Sequence, residues 1–234
     1  MTSVLVLLAA LSQLNARPAT DAFTEELSKL EASLSSEPDN LRYGNDYRRI
    51  TVQAKAHDRC IKFFEKLVAE NPTAANALFN LGLAYVDKMA VSGAITRVIL
   101  AHYALRYFTK SIEQRPTLLA LYTRGGSYLY FPRILGYAKL GVADLEMALQ
   151  MKKEEKRRPY HAQIYMTLGD GYYIIDEFEK AKSTWREGLA EFPEDPELKA
   201  RLARDGDELK AYVFAYLDPN KKIDTDLEEM WRDP

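Results

Sequence analysis

Apolar and polar positions along this chain follow the helical period almost throughout. Phe23, Leu27, Leu30 and Leu34 recur at spacings of three and four and predict an amphipathic helix. Thr20 or Asp21 would cap it, and Ser35-Ser36-Glu37-Pro38 would break it. Near the other end, Leu198, Leu202, Leu209, Val213 and Leu217 repeat on one face from Pro196 onward and predict one more helix over 196–217. Residues 218–234 carry no such period and read as a polar tail. No segment alternates with the period of a strand, so the expected class is all-α.

Between those ends the pattern repeats itself. The copy at 162–195 reads Tyr165-x-x-Leu168-Gly169-x-x-Tyr172, then Ala181-x-x-x-Trp185, then Pro193. Gly169 and Ala181 are small where two helices of a hairpin would cross, and Pro193 cannot continue the second one. A second copy, at 75–116, has Leu78-x-x-Leu81-Gly82-x-x-Tyr85, then Ala104-x-x-x-Phe108 and Pro116. It is longer than a standard repeat by about ten residues, inserted around Met89–Gly93 and running into Ala94–Leu100, a piece apolar enough to lengthen the helix that follows. At 118–158 stand Leu121-x-x-Arg124-Gly125-x-x-Tyr128 and Gly141-x-x-x-Leu145-x-x-Ala148, with about four extra residues around Phe131–Gly136. A weaker copy at 40–72 has Tyr43-Gly44-x-x-Tyr47, Cys60-x-x-x-Phe64 and Asn71-Pro72, with Cys60 in the place of a small core residue.

Leu-Gly and Tyr in one helix, Ala and an aromatic in the next, and a closing Pro resemble the tetratricopeptide (TPR) repeat. The resemblance covers roughly residues 40–195. It implies helical hairpins stacked as a right-handed superhelix over 20–217, with 196–217 as the cap that a repeat array needs over its last apolar face. It also implies that the first helix of each hairpin lines a concave groove holding a peptide or partner protein, and that the chain is not an enzyme. First-helix residues outside the buried signature are then the groove candidates: Asn45 and Arg49, with Arg42 and Arg48, from the first copy. The second copy supplies Asn76, Phe79, Asn80 and Leu83, and the third Tyr122, Leu129 and Tyr130, with Thr123 and Gly126. The fourth supplies Met166, Asp170 and Tyr173, with Thr167. Asn can bond a peptide backbone as donor and as acceptor, and aromatic residues anchor interfaces. One subset of the family clamps a C-terminal carboxylate with Asn and basic residues. Asn45 and Asn80 match its Asn positions, but Leu41, Leu119 and Thr123 replace its cations, so that clamp is not expected here.

Composition narrows the function further. With 32 basic and 34 acidic residues, net charge -2, the chain lacks the basic excess of a nucleic-acid binder. The lone Cys60 excludes an internal disulfide and a thiolate metal cage. His57, His102 and His161 fall in different hairpins, without metal-ligand spacing, and no nucleophile elbow or phosphate loop is present; no cofactor or metal is expected. Asp218, Asn220, Asp224, Asp226 and Glu229 echo part of a calcium loop, but Lys222 and Ile223 stand where an oxygen ligand and the turn Gly belong, so a solvated acidic tail is expected.

At the start, Val4–Leu11 is an apolar run too short to span a bilayer as a mature helix, with a possible cleavage point after Ala16. Within residues 1–19 it reads as an export signal without the usual basic flank, or else as an apolar helix packed on the repeats. Export to the periplasm is the first expectation and the cytoplasm the alternative. The function expected is a protein-interaction scaffold. The alternative is an accessory, oligomeric subunit of an envelope transport or assembly system, similar to the TPR partners of substrate-binding-protein (TRAP) transporters. The inserts would then serve as contacts or as a ligand pocket.

Overall fold

The computed structural model describes residues 19–218 and 223–230. All regular structure among them is helical. Helix α1 (Ala19–Ser36) buries Leu27 and Leu34 and ends just before Glu37-Pro38. Thr20 and Asp21 lie inside α1 rather than just before its first turn, which corrects the expected cap. The expected export segment lies outside the described residues.

Antiparallel hairpins follow. They are α2 (Leu41–Gln53) with α3 (His57–Glu70), and α4 (Ala75–Met89) with α5 (Ala94–Gln114). Next come α6 (Leu118–Leu129) with α7 (Tyr137–Lys152), and α8 (Ala162–Ile174) with α9 (Phe178–Glu191). Local chemistry sets the starts of two first helices. The Asn40 side chain accepts the Tyr43 N–H at 3.0 Å, and the Thr117 hydroxyl accepts the Ala120 N–H at 3.1 Å, each satisfying a donor that the helix itself leaves open. The small signature residues permit close crossing. A Cβ on Gly169 would lie 2.2 Å from Trp185 Nε1, so no larger residue fits unless the indole moves. Trp185 is wholly buried there and donates its indole N–H to the Met166 carbonyl at 3.2 Å.

The inserts take two forms. The first breaks the chain after Met89 and adds turns to the start of α5, whose Ile95, Val98 and Ile99 face water. The second folds as a 3-10 turn, Arg133–Leu135, closed by Gly136 at φ 71°. The apolar period predicts one helix over 196–217, but the cap is two: α10 (Pro196–Leu202) and α11 (Gly206–Tyr216). Asp195 caps the first and accepts the Leu198 N–H at 2.8 Å, with Pro196 at the position where a missing N–H costs nothing. The break falls at Ala203–Asp205, where Gly206 takes φ 54°, a left-handed conformation open to glycine and costly for other residues.

Packing divides into two cores. One runs from Leu27 to Ala120, the other from Leu118 to Leu217, and Ile112 touches both. Cys60 belongs to the first core, where burial pushes its thiol up to about 12. That leaves almost no thiolate and no reactivity at ordinary pH.

Candidate functional site

The first helices of the hairpins share one face, and its N-terminal end is organised by a buried arginine. Arg48 of α2 is 2% exposed. Its Nε donates to Asn80 Oδ1 at 3.0 Å, and its Nη1 to Asp87 Oδ2 at 2.9 Å, both on α4. Its Nη2 donates to Asn45 Oδ1 at 3.0 Å on its own helix and to the carbonyl of Thr225 at 2.7 Å. A guanidinium so deeply buried is tolerable only when its donors are met and its charge is matched, as Asp87 does here. Asn80 is itself held by its amide donating to the Asn76 carbonyl at 2.9 Å. The approach of α2 to α4 depends on Gly44, where a Cβ would lie 2.3 Å from Asn80 Nδ2.

Thr225 belongs to the C-terminal segment. The expectation of a solvated tail is therefore corrected for residues 223–230, which lie along the groove. Asn45 works on this segment in both directions: its amide donates to Asp226 Oδ1 at 3.1 Å and its carbonyl oxygen accepts the Leu227 N–H at 3.1 Å. The Thr225 hydroxyl bonds Asp87, and Arg49 Nη1 donates to Glu228 Oε1 at 2.6 Å. Leu227 packs on the N-terminal core, which Leu119 also borders. Burial alone would raise the Asp226 carboxyl. The Asn45 amide, the Glu228 N–H and the Arg49 and Arg48 guanidinium groups outweigh it and hold the carboxyl below the usual range.

On either side of this segment the groove stays open. Towards the N-terminus is a cavity of about 970 Å³ bordered by Arg48, Arg49, Lys55, His57 and Arg97. Towards the C-terminus is one of about 490 Å³, bordered by Leu83, Tyr122, Tyr130, Tyr160 and Tyr216. Burial pushes the Tyr122 phenol up to about 12; its hydroxyl lies 3.4 Å from Thr167 Oγ1. The first cavity is basic and the second aromatic.

The candidates drawn from the sequence separate accordingly. Asn45, Arg49, Leu83, Tyr122, Tyr130 and Asp170 border the groove. Phe79, Leu129 and Met166 are corrections: each is buried in a core, Phe79 with its ring 5.6 Å from that of Phe108. Asn76 is turned aside to Asp39, its backbone N–H donating to that carboxylate at 2.6 Å. Asn80 positions Arg48 instead of facing a ligand, and Tyr173 packs its ring 5.1 Å from Phe178 and 6.2 Å from Trp185. A first helix touches both its hairpin partner and the next hairpin, so only a narrow stripe of it remains for the groove. Asp170 borders the groove but is committed to the cap, with Arg201 Nε and Nη2 donating to its two oxygens at 2.6 and 2.7 Å. Burial pushes the Asp170 carboxyl up to about 6, with the Arg201 guanidinium pulling against it. Asp87, Thr225, Leu227 and Glu228 join the site without being among the sequence candidates. The one sequence signal for the last three is a leucine set among acids in a mostly polar tail.

His57, His102 and His161 are not brought together: His57 borders the larger cavity, His102 bonds the Val98 carbonyl at 2.8 Å, and His161 is buried beside Tyr160. Among the described residues no cluster of His, Cys, Asp or Glu could hold a metal ion, and no helix is long and apolar enough to cross a membrane.

No protein-family model matches the sequence, and no curated protein matches it. Solved structures do match. A thermophilic TPR protein of Thermus thermophilus is 20% identical, over 85% of this chain and 93% of that one, with a TM-score of 0.54. YrrB, a TPR protein with an unusual peptide-binding site, is 15% identical over 91% of this chain and 90% of that one, with a TM-score of 0.53. MamA protein is 15% identical over 80% of this chain and 88% of that one, with a TM-score of 0.51. The chain thus has the tetratricopeptide-type helical-repeat fold.

Proposed function

We propose that the chain is a protein-interaction scaffold that holds an extended peptide on its concave face. The observation that carries this reading is the lodging of residues 223–230 there. Arg48 donates to a main-chain carbonyl, and Asn45 accepts a main-chain N–H, so the groove bonds peptide backbone independently of sequence. The flanking cavities leave room for a chain longer than the segment now held. The test is photo-crosslinking of the full-length protein with a diverse library of unstructured peptides. Crosslinks should map to α2, α4, α6 and α8; crosslinks confined to α3, α5, α7 and α9 would sink the reading.

A second reading, an accessory oligomeric subunit of an envelope transport or assembly system, is favoured by the inserts. They present Ile95 (82% exposed) and Ile134 (93% exposed) to water, and apolar surface of this kind often marks an assembly contact. A mass in solution that stays monomeric up to high concentration would remove it. Export belongs with this reading, and intact mass of the native protein, with or without the first residues, decides it.

A further inference from the structure

We infer that the groove's external partner is an acidic, extended peptide that displaces the chain's own residues 223–230, so that tail and partner exclude one another. The inference rests on the peptide-holding reading above and adds the partner's chemistry and its competitor.

Three observations point to an acidic partner. With Arg48 and Asp87 paired to each other and the tail's own Asp224 and Asp226 set aside, the walls of the larger cavity contribute Arg49, Lys55 and Arg97 and no acid. The segment lodged beside it carries Asp224, Asp226, Glu228 and Glu229. Arg49 keeps a buried Nε with no hydrogen-bond partner while its Nη1 holds Glu228, so the tail leaves part of that guanidinium unmet. The contacts also define a register. A main-chain carbonyl goes to Arg48, and the hydroxyl of the same residue, Thr225, goes to Asp87. The next residue supplies a carboxylate for Asn45. The one after supplies an N–H for Asn45 and an apolar side chain for the core, and a last carboxylate goes to Arg49. Hydroxyl, acid, apolar, acid is the pattern an incoming peptide must reproduce.

The tail is a weak occupant by construction. Its ion pair to Arg49 is part-exposed, with side chains 39% and 31% accessible, and such a pair is screened by salt. What favours it is the tether: Leu217 closes α11, and the segment resumes at Ile223. A short linker gives an effective concentration on the order of millimolar. The tail only borders the aromatic cavity at Tyr122 and Tyr130, so a partner that also seats side chains inside it can overcome that advantage.

The experiment uses full-length protein and a fluorescein-labelled peptide with the sequence of Ile223–Met230, followed by anisotropy. The comparison is between the wild type and a chain whose own tail is weakened by Asp226→Lys and Leu227→Asp. Those two residues lie outside the helices, and helical content by circular dichroism should be unchanged. The weakened chain should bind the peptide about tenfold more tightly than the wild type, because the competent fraction rises. Adding Arg49→Glu to it should remove that gain. In the wild type, excess peptide should speed exchange of the Leu227 amide. Equal affinity of the two chains, or equal binding of a peptide with its acids changed to Lys, overturns the inference. If library peptides still crosslink to the concave face in that case, the peptide-holding reading stands without it; if none do, that reading falls as well.

Discussion

Arg48 and Arg201 are the two deeply buried arginines among the described residues, and they are used differently. Arg201, in the cap, is closed within the fold: Asp170 takes two of its nitrogens, Glu197 accepts from the third at 2.9 Å, and the Tyr216 ring lies 4.9 Å from its centre. Every one of those partners belongs to a helix of the C-terminal half. Arg48, at the other end of the groove, has Asp87, Asn80 and Asn45 from helices, but its fourth contact is a carbonyl of residue 225, in the segment after the cap, whose regular structure is the short 3-10 turn Glu228–Met230. The same side chain thus ties helices of the fold together as a strut in one half and also holds the C-terminal segment in the other. The difference lies in the last partner: one a side chain of a helix, the other a main-chain carbonyl outside the hairpins and the cap.

The largest effect should come from breaking the strut. Arg201→Met leaves Asp170 buried without its cation and should cost about 3–5 kcal/mol in urea unfolding. Adding Asp170→Asn should restore part of that stability. If the single change proves nearly neutral, the cap pair is not a strut.

Arg48→Met should cost less, about 1–3 kcal/mol, because Asn45, Asn80 and Asp87 lose a partner at the edge of a cavity instead of inside a core. It should also free the tail, seen as rapid exchange of the Leu227 amide. Arg201→Met, which removes no hydrogen bond of the tail, should leave that amide's exchange in the folded state unchanged.

Glu228→Gln should change global stability by less than about 1 kcal/mol, since its pair with Arg49 is half-exposed. Tail release should still become detectable, and raising the salt should erase the difference from wild type.

The smallest effect concerns pH. Asp226 is held below its ordinary value of 3.8, so its contribution to docking is fully present above that value and is lost as pH falls through the lower one. Arg48 and Arg49 face it from α2 and Asp87 borders it from α4, with Glu228 on its own segment. Asp46, which burial raises, takes up its proton first and relieves a repulsion with Asp226. Leu227 amide protection should therefore hold down to about pH 4 and disappear below it. Protection lost near neutrality would break this account.

Much of the fold was legible because a hairpin is a local object. Gly82 under Phe108 and Gly169 under Trp185 are each close contacts between two helices adjacent in the chain, and the spacing of the signature states both partners. The groove was legible only as a face. Asn45, Arg49, Tyr122 and Tyr130 lie on it, while Phe79, Leu129 and Met166, on the same set of first helices, are consumed by neighbouring hairpins. Which side of a first helix is covered depends on how far successive hairpins rotate, which a pattern within one repeat does not state.

By itself, then, the sequence determined the helical period, the hairpins and the small residues at their crossings, because these follow from neighbours within one repeat. Only the tertiary structure decided that the cap is two helices, that Arg48 is buried and that residues 223–230 lie along the groove. The contacts of Asn45 and Arg48 with that segment span 181 and 177 residues. No periodicity connects positions so far apart. Their meeting depends on the folded array presenting a charged, backbone-bonding face within reach of the chain's own end.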